Sequence, residues 1–302
     1  MGILDGKVVA VTGAANGLGR AYVEALAEAG AAVVCSDVDE QAARGLADSV
    51  TADGGRAVGC PGDVRRWSTG ESLVAAAVDA FGRLDVLVNN AGIVRDRMMW
   101  NLGEADVDDV LAVHLRGTFA CGIAAARHMR ERGEGGSIIN VTSAAQHGHA
   151  GQSNYSAAKG GIASLTYTWA LELARSGIRV NAVSPMAWTG MTMGIVRTED
   201  EARALEQRLG PPERVAPMVV YLASDDAAWI SGQVIGICNE RISLGLHPRE
   251  SRQAFCAGGW TVDELRQRFR ATTGGMLEPC GSATQYPWSE GIRPPAHEAA
   301  GS

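Results

Sequence analysis

The chain has 302 residues, of which 46% are hydrophobic and 20% charged, and its formal net charge at pH 7 is −7. A chain of this length and composition can bury one large core, and the acidic balance without a basic block argues against nucleic-acid binding. Residues 1–6 show neither the charged nor the apolar region of a secretory signal, and we find no apolar run that we expect to span a membrane. We therefore expect a cytoplasmic protein without a membrane partner.

The first predicted element is a β-branched strand at residues 7–11, followed by a glycine-rich turn and a segment with helical apolar spacing that ends near residue 30. Strand, glycine turn and helix in this order are the context of a dinucleotide-binding loop, although a glycine turn alone also makes a simple tight connection. The glycines let the backbone approach a pyrophosphate, and the helix N-terminus offers free N–H groups. The predicted cofactor-binding residues of this turn are Gly13, Asn16, Gly17, Leu18 and Gly19.

The second predicted strand, residues 32–36, is followed by Asp37. A carboxylate at this position accepts hydrogen bonds from the ribose hydroxyls of an adenosine and repels a 2′-phosphate. Neither Asn16 nor Val38, where a phosphate-binding charge is expected, is an arginine or a lysine. The sequence therefore predicts NAD rather than NADP as the cofactor.

Further along the chain, β-branched runs alternate with longer, alanine-rich segments. This alternation predicts α/β architecture: a doubly wound parallel sheet of the Rossmann type with helices on both faces. The stretches near 105–131 and 153–175 are predicted to be long helices. The six cysteines show no zinc-binding spacing, so we expect reduced packing residues.

Tyr155 and Lys159 are four residues apart in the second of these helices, and Ser143 ends an apolar run twelve residues before Tyr155. Helical spacing places the phenol and the ammonium on one face. A neighbouring cation favours the phenolate and lowers a phenol pKa from about 10, as proton exchange with an alcohol or carbonyl requires. A Tyr-x-x-x-Lys pair is also common on ordinary helices, so the prediction of a redox site depends on the nearby cofactor motif.

In combination, these motifs strongly resemble those of the short-chain dehydrogenase/reductase family. The match covers roughly residues 5–237 in the family's order: Thr12-Gly13-x-x-x-Gly17-x-Gly19, Asp63, Asn89-Asn90-Ala91-Gly92, Ser143, Tyr155-x-x-x-Lys159 and Asn181-x-x-x-Pro185. The resemblance implies an NAD-dependent oxidoreductase that interconverts a secondary alcohol and a ketone. It implies Tyr155 as the acid/base, Ser143 as the group that positions the substrate oxygen, and Lys159 as the group that lowers the Tyr155 pKa and holds the nicotinamide ribose.

The same resemblance implies further cofactor contacts. Asp63 and Val64 would bracket the adenine. Asn90, Ala91 and Gly92 would support the central strand and touch a ribose. The segment after Pro185, which includes Trp188, would close over the nicotinamide.

His114 is the first of three departures from the family pattern. The family usually has an asparagine at this position of the long helix, where it helps to hold a water that relays protons to the lysine. An imidazole both donates and accepts hydrogen bonds, so His114 is a candidate catalytic relay. The alternative is a helix histidine that is bonded to a backbone carbonyl.

The second departure is the run from Pro185 to Thr192, which replaces the family's usual Pro-Gly. This run and the His114-Leu115-Arg116-Gly117 stretch are similar to the dehydrogenase domains of peroxisomal-type multifunctional β-oxidation enzymes, which act on 3-hydroxyacyl-CoA. The similarity favours a bulky apolar alcohol, and a 3-hydroxyacyl thioester, a steroid-like alcohol and a small cyclic alcohol all stay open. Trp188 and the methionines Met186 and Met191 are also typical of lid packing without a ligand role.

The third departure is the end of the last strand, where the family's Asp-Gly-Gly turn is missing. We predict a catalytic domain over 1–238 and a C-terminal extension over 239–302. A capping pattern at Thr261 and Glu264 predicts a short helix near 261–271, and the remainder is expected to be irregular. The extension is expected to lie along its own subunit or a neighbour, or to roof the active site.

Two other groups of residues have alternative interpretations. His147 and His149 lie in the loop before Tyr155, but no further ligands are evident, so we predict no metal site. Arg95 and Arg97 are candidates for contact with a coenzyme A phosphate, although surface arginines are common.

The family resemblance also implies a homodimer or homotetramer, because the two long helices pack against their copies in that family. The alternative function is a catalytically silent, nucleotide-sensing regulatory protein on the same fold. Such proteins typically lose part of the Tyr, Lys and Ser set, which this chain retains.

Overall fold

The computed structural model describes residues 2–190, 198–250 and 253–273. The described strands form a single eight-stranded sheet in the order β3-β2-β1-β4-β5-β6-β7-β8. The first seven pair in parallel, whereas β8 runs antiparallel to β7. The strand bounds are β1 Val8–Thr12, β2 Ala32–Ser36, β3 Arg56–Gly59, β4 Val86–Asn89, β5 Gly136–Val141, β6 Ile178–Met186, β7 Val234–Cys238 and β8 Arg241–Gly245. The prediction of a doubly wound, mostly parallel sheet is confirmed.

The described helices flank this sheet on both sides. Their bounds are α1 Gly17–Glu28, α2 Glu40–Ala52, α3 Ser68–Phe81, α4 Glu104–Leu111, α5 Gly117–Arg132, α6 Ser153–Leu173, α7 Glu199–Leu209, α8 Ala216–Ala223 and α9 Val262–Arg268. The central strands show continuous burial instead of alternation, because a parallel sheet that is covered on both faces leaves no polar side.

The core has two halves, one on each side of the sheet. Val9 and Val11 of β1 point to the half that contains Tyr22 and Leu26 of α1. Val8 and Ala10 point to the other half, which is built from side chains of α3, α5 and α6. The period of two along β1 therefore decides which layer of helices each residue packs against.

The helices α4 and α5 are joined by a π-helical turn, Ala112–Arg116, into one helix from Glu104 to Arg132. By length and composition this is the one described helix that is able to cross a membrane, so our expectation that no such segment exists was too strict. It makes many contacts with α3 and β4, and 44% of its most apolar window is buried inside the structure. A core helix passes the same test of length and hydropathy.

The predicted C-terminal extension begins inside the sheet. Its first residues form β8, which the sequence analysis did not predict, and the connection from β7 turns at Asn239, whose φ is 51°. Asparagine tolerates this left-handed conformation better than most residues. Farther on, α9 lies within the range predicted for a short helix, and Thr261 and Glu264 form its capping box. The prediction for 274–302 falls outside the described residues.

The cysteines in the described part of the chain are free thiols. Cys35, Cys60 and Cys121 are buried, and burial raises the pKa of the Cys35 thiol to about 12. These thiols are packing residues, as predicted.

Candidate active site

A cleft of about 1290 Å³ runs along the carboxyl ends of the parallel strands. In a doubly wound sheet this is the edge at which ligands bind. The cleft is lined by all four predicted catalytic residues, Ser143, Tyr155, Lys159 and His114. It is also lined by most predicted cofactor-binding residues: Gly13, Asn16, Gly17, Leu18, Gly19, Asp37, Asp63, Val64, Asn90, Ala91, Gly92 and Pro185.

The glycine turn between β1 and α1 is packed so closely that side chains are excluded. Gly13 has a φ of +62°, and a Cβ there would lie 2.7 Å from the Cα of Ala91. A Cβ on Gly19 would lie 1.9 Å from the Gly13 carbonyl oxygen. Gly17 begins α1, so the free N–H groups of that helix face the cleft. This turn fits the pyrophosphate of a dinucleotide.

Asn90 holds the glycine turn against the end of β4. Its side-chain amide donates to the carbonyls of Thr12, at 3.0 Å, and of Gly13, at 2.9 Å. The Thr12 hydroxyl in turn accepts from the backbone N–H groups of Asn90 and Ala91 at 3.0 and 3.1 Å. The support of the central strand that the family resemblance implies for Asn90 is thus present in this chain.

Asp37 is held at the end of β2 by two backbone amides. Its carboxylate accepts from the N–H of Ala15 at 3.0 Å and from that of Asp39 at 3.1 Å. The remaining lone pairs of the carboxylate face the cleft, where they fit the hydroxyls of an adenosine ribose.

Arg65 also lines the cleft, but its charge is already paired. It is bonded to Asp63 at 2.8 Å and lies 3.5 Å from Asp109. The hydrogen bond from Arg65 lowers the pKa of the Asp63 carboxyl, which therefore stays ionised. Val64, the next residue, is buried beside it.

Ser143 and Tyr155 line the same cleft, and the Ser143 hydroxyl is near enough to the Tyr155 phenol to influence its pKa. Ser143 lies beyond the end of β5, where its hydroxyl accepts from the N–H of Ala145 at 3.2 Å. Burial raises the pKa of Tyr155, the Ser143 hydroxyl lowers it in part, and the charge of Asp96 adds to the rise. That Lys159 lowers the pKa of Tyr155 stays a prediction.

Lys159 is buried next to Tyr155, one helical turn along α6. Its ammonium donates to the Val141 carbonyl at 2.6 Å and lies 5.5 Å from the centre of the Tyr155 ring. Only 3% of the residue is exposed, and burial lowers the pKa of Lys159 to about 7. Burial thus makes Lys159 a weaker base than an exposed lysine, and its bond to Val141 fixes the amino group beside the phenol.

His114 lies in the π-helical turn, with its ring at 5.1 Å and nearly perpendicular to the Tyr155 ring. Its Nε2 lies 2.7 Å from the carbonyl oxygen and 3.0 Å from the amide nitrogen of Ile93. We assign the shorter contact as an N–H donor bond, which makes Nδ1 an acceptor, and Nδ1 is buried without a partner. Burial, with the charge of Lys159, lowers the pKa of His114 to about 3.

These contacts limit what His114 is able to do. It is neutral above about pH 4, so it does not act as an imidazolium acid. Its Nε2 faces backbone groups of Ile93, which do not carry a proton onward. The histidine therefore combines both alternatives from the sequence: one nitrogen is satisfied by a backbone carbonyl, and the other offers a lone pair inside the site.

Two supporting residues were not singled out from the sequence. The side-chain amide of Asn154 donates to the carbonyls of Asp106 at 2.9 Å and Arg95 at 3.2 Å, which joins the start of α6 to α4 and to the loop after β4. The Thr142 hydroxyl lies 3.0 Å from the Lys159 carbonyl. The sequence feature that could have identified Asn154 and Thr142 is that they directly precede Tyr155 and Ser143.

Several predicted residues lie elsewhere. Trp188 is not part of the described cleft wall, although its neighbours Ala187 and Thr189 are. Its backbone N–H is bonded to the Gly210 carbonyl at 2.8 Å. Met191 and Thr192 lie outside the described residues.

Of the arginine pair Arg95 and Arg97 and the histidine pair His147 and His149, one member each lines the cleft. Arg95 and His149 line the cleft, whereas Arg97 and His147 do not. Arg97 is instead paired with Asp106 at 2.9 Å. Within residues 2–190, 198–250 and 253–273, no group of three or more His, Cys, Asp or Glu side chains is arranged to hold a metal ion.

Comparison with known proteins places this site in context. Residues 13–239 match the family model described as enoyl-(acyl carrier protein) reductase. The chain is 40% identical over 282 residues to the hydroxyacyl-CoA dehydrogenase ChsB1 of Mycobacterium tuberculosis, with 88% of each chain covered. It is 39% identical over 245 residues to the (2S)-[(R)-hydroxy(phenyl)methyl]succinyl-CoA dehydrogenase subunit BbsD of Thauera aromatica, with 80% of this chain and 98% of that protein covered.

A longer relative matches the extension as well. The peroxisomal multifunctional enzyme type 2 of Mus musculus is 41% identical over an alignment that covers 96% of this chain and 41% of that protein. Among solved structures, a short chain dehydrogenase from Mycobacterium avium superimposes with a TM-score of 0.82 at 39% identity, covering 92% of this chain and 98% of that one. The chain therefore belongs to the short-chain dehydrogenase/reductase family, as its sequence motifs predicted.

Proposed function

We propose that this oxidoreductase, which acts on a CH–OH group and by its family uses a nicotinamide cofactor, takes NAD as that cofactor. The proposed reaction interconverts the secondary alcohol and the ketone of a 3-hydroxyacyl-CoA thioester. The observation that carries this proposal is one cleft in which Ser143, Tyr155 and buried Lys159 share a wall with the glycine turn and Asp37.

The chain's own residues supply the proton chemistry. When bound, the nicotinamide supplies the acceptor or donor of the hydride. In the oxidation direction, Ser143 donates a hydrogen bond to the substrate oxygen while the Tyr155 phenolate takes the hydroxyl proton and becomes a phenol. Lys159 stabilises the phenolate that must be present before this transfer, because a positive charge near a phenolate favours the ionised form.

The thioester assignment depends on the relatives and on the cleft. ChsB1 and BbsD are both named as dehydrogenases of CoA thioesters. A cleft of about 1290 Å³ is larger than most pockets that hold a single small molecule. Its wall is lined near the reaction centre by Val94, Ala144 and Met186, which suit an acyl chain.

A silent, nucleotide-sensing protein is the competing function. The retained Ser143, Tyr155 and Lys159 favour turnover over sensing, and hydrogen bonds to the Ala145 amide and the Val141 carbonyl hold Ser143 and Lys159 in place. The first measurement is a titration of the protein with NADH and NADPH by nicotinamide fluorescence, followed by turnover of a 3-hydroxyacyl thioester with NAD. Tight NADH binding without turnover of any alcohol would favour the sensor.

Replacement of Tyr155 tests the acid/base role. Tyr155→Phe keeps the ring that packs on His114 but removes the oxygen, so we expect turnover to fall by at least about a thousandfold. NADH affinity should change little. The control is Tyr167→Phe on the same helix, which does not line the cleft. Turnover by Tyr155→Phe near the wild-type rate would reject the mechanism.

A further inference from the structure

Arginines occur on several parts of the cleft wall, and they differ in whether their charge is paired. Arg65 lies within 4 Å of Asp63 and Asp109, and Arg95 lies 3.8 Å from Asp109. Arg208 and Arg241 also line the cleft, and within the described parts of the chain neither forms an ion pair. The structure therefore offers two guanidinium groups in the cleft wall that form no ion pair with a described side chain.

These two arginines come from neighbouring elements that are tied together. Arg208 is near the end of α7, and Arg241 begins β8. Between them, the Asn239 side chain donates to the Gln207 carbonyl at 3.4 Å and accepts from Arg214. The thiol of Cys238 lies 3.9 Å from the Arg208 carbonyl. The hairpin between β7 and β8 is thereby fixed against the end of α7.

The register of the sheet places this corner at the substrate end of the cleft. Ile237 and Cys238 of β7 are opposite Pro185 and Met186 of β6, which line the cleft next to the reaction centre. Asp37 follows β2, which is five strands away from β7 in the sheet order, or about 24 Å at about 4.8 Å per strand. The two arginines are therefore remote from the position at which a 2′-phosphate of a dinucleotide would lie.

Charges of both signs meet at this corner. Glu240 lines the same wall as Arg208 and Arg241, and Arg214 lies nearby through its contact with Asn239. Arg208, Glu240 and Arg241 are all exposed, so a ligand reaches them without rearrangement. Guanidinium groups bind phosphate through paired, charge-assisted hydrogen bonds.

We propose that Arg208 and Arg241 form a subsite for the phosphate groups of the coenzyme A part of the substrate. This inference rests on the proposed thioester substrate. It replaces the sequence-based candidates Arg95 and Arg97, whose charges are paired with Asp109 and Asp106. The acyl part of the substrate would point toward Tyr155, and the phosphates would contact the corner between α7 and β8.

The test compares ligands with and without phosphate. Binding of free coenzyme A and of pantetheine to the NADH-loaded protein is measured by calorimetry, for wild type, Arg208→Met, Arg241→Met and the double variant. We expect each single change to weaken coenzyme A about fivefold and the double change about 25-fold, with pantetheine unaffected. The wild-type affinity for coenzyme A should also fall as salt is raised.

Arg203→Met is the matched control, because Arg203 is exposed on the same helix, pairs with Glu199 and Asp200, and does not line the cleft. Unchanged NADH affinity in every variant shows that the fold is intact. Equal loss of pantetheine binding, an equal effect of Arg203→Met, or no binding of coenzyme A to wild type would each overturn the subsite.

The proposed reaction is tested separately, by wild-type turnover of a 3-hydroxyacyl N-acetylcysteamine thioester, which carries no phosphate. Turnover of that substrate together with unaltered coenzyme A binding by the arginine variants would leave the reaction standing and reject the subsite. Loss of coenzyme A binding in those variants without any turnover of the thioester would support the subsite and reject the reaction.

Discussion

Asp37 is the residue on which the proposed preference for NAD over NADP depends. Its bonds to the N–H groups of Ala15 and Asp39 hold the side chain in place at the end of β2, where a carboxylate suits ribose hydroxyls and repels a phosphate. The sequence was sufficient to place this residue, because in a doubly wound sheet the residue directly after the second strand lies at the carboxyl edge, beside the turn after the first strand. The two amides that orient it come from the fold and were not visible in the pattern.

Asp37→Ala should weaken NADH binding about tenfold or more, because hydrogen bonds between the carboxylate and the ribose hydroxyls are lost. The preference for NADH over NADPH should become smaller, because the repulsion between the carboxylate and the 2′-phosphate of NADPH is lost as well. Nicotinamide fluorescence titrations measure both affinities. Asp39→Ala is the control, because that carboxylate caps α2 through the N–H of Ala42 and does not line the cleft. The same ratio of NADH to NADPH affinity in Asp37→Ala and wild type would contradict the role of Asp37.

His114 makes the fold sensitive to acid. The pKa of His114 is about 3 in the folded protein, against an ordinary value of 6.5, so the unfolded chain takes up a proton that the folded chain does not. This stability is present above about pH 6.5 and is lost as the pH falls toward 3, at up to about 1.4 kcal/mol per pH unit. The slope has this sign because the unfolded state binds more protons throughout that window.

We therefore expect the melting temperature of His114→Asn to fall less than that of wild type between pH 6.5 and 4. Thermal unfolding at half-unit pH steps measures this. His147→Asn, which alters an exposed histidine, should follow the wild-type curve. Parallel curves for His114→Asn and wild type would show that the buried imidazole does not carry the acid sensitivity.

Tyr155 marks the limit of residue-level prediction. Helical spacing brought Tyr155 and Lys159 together, as the structure shows, but the direction of the Tyr155 pKa shift depends on burial and on Ser143. Neither the depth of a side chain nor the effect of a hydroxyl twelve residues away can be obtained from spacing alone. The same holds for Nδ1 of His114, whose lack of a partner depends on how Ile93 and Gly92 pack around the ring.

At the scale of elements, the glycine turn is predictable because steric exclusion permits few residue types. Gly19→Ala would place a Cβ 1.9 Å from the Gly13 carbonyl oxygen, so β1 and α1 would have to separate. We expect a loss of about 2 kcal/mol or more in stability and a large loss of NADH affinity.

Gly45→Ala is the matched control for this substitution. Gly45 lies inside α2, and a Cβ there would meet no atom within 4 Å. Alanine in place of an exposed helical glycine should stabilise the protein by about 0.5–1 kcal/mol. Urea unfolding with an NADH titration of both variants measures the difference, and equal stability of the two variants would show that the turn is not as tightly packed as described.

The hairpin of β7 and β8 is the element that pattern analysis missed. Residues 241–245 carry an alternating pattern, Arg-Ile-Ser-Leu-Gly, but Asn239 and Glu240 do not form a standard turn signal with a glycine, and the strand was included in the extension. The alternating pattern alone does not show that residues 241–245 pair with β7, because that pairing depends on the rest of the sheet. In contrast, α9 carries its own start signal in Thr261 and Glu264, and it was located from that local pair.

At the scale of the whole molecule, the order of strands divides the cleft into two parts of different origin. The cofactor end is built by the first half of the chain, through the turns after β1, β2 and β4. The proposed substrate end is built mainly by the second half, from β5 onward, to which the first half adds Val94 and His114. The assembly into a dimer or tetramer, the cytoplasmic location and the role of residues 246–302 stay predictions.

The position of the β7–β8 hairpin at the edge of the sheet affects how this protein can evolve. Because β8 is the last strand, its residues contact β7 on one side only, and a change of length or sequence there disturbs no other strand. Yet Arg241 and Glu240 face the substrate end of the cleft. With the proposed subsite at this hairpin, mutations can alter substrate choice where the fold is tolerant, while the steric demands of the glycine turn restrict change at the proposed cofactor site.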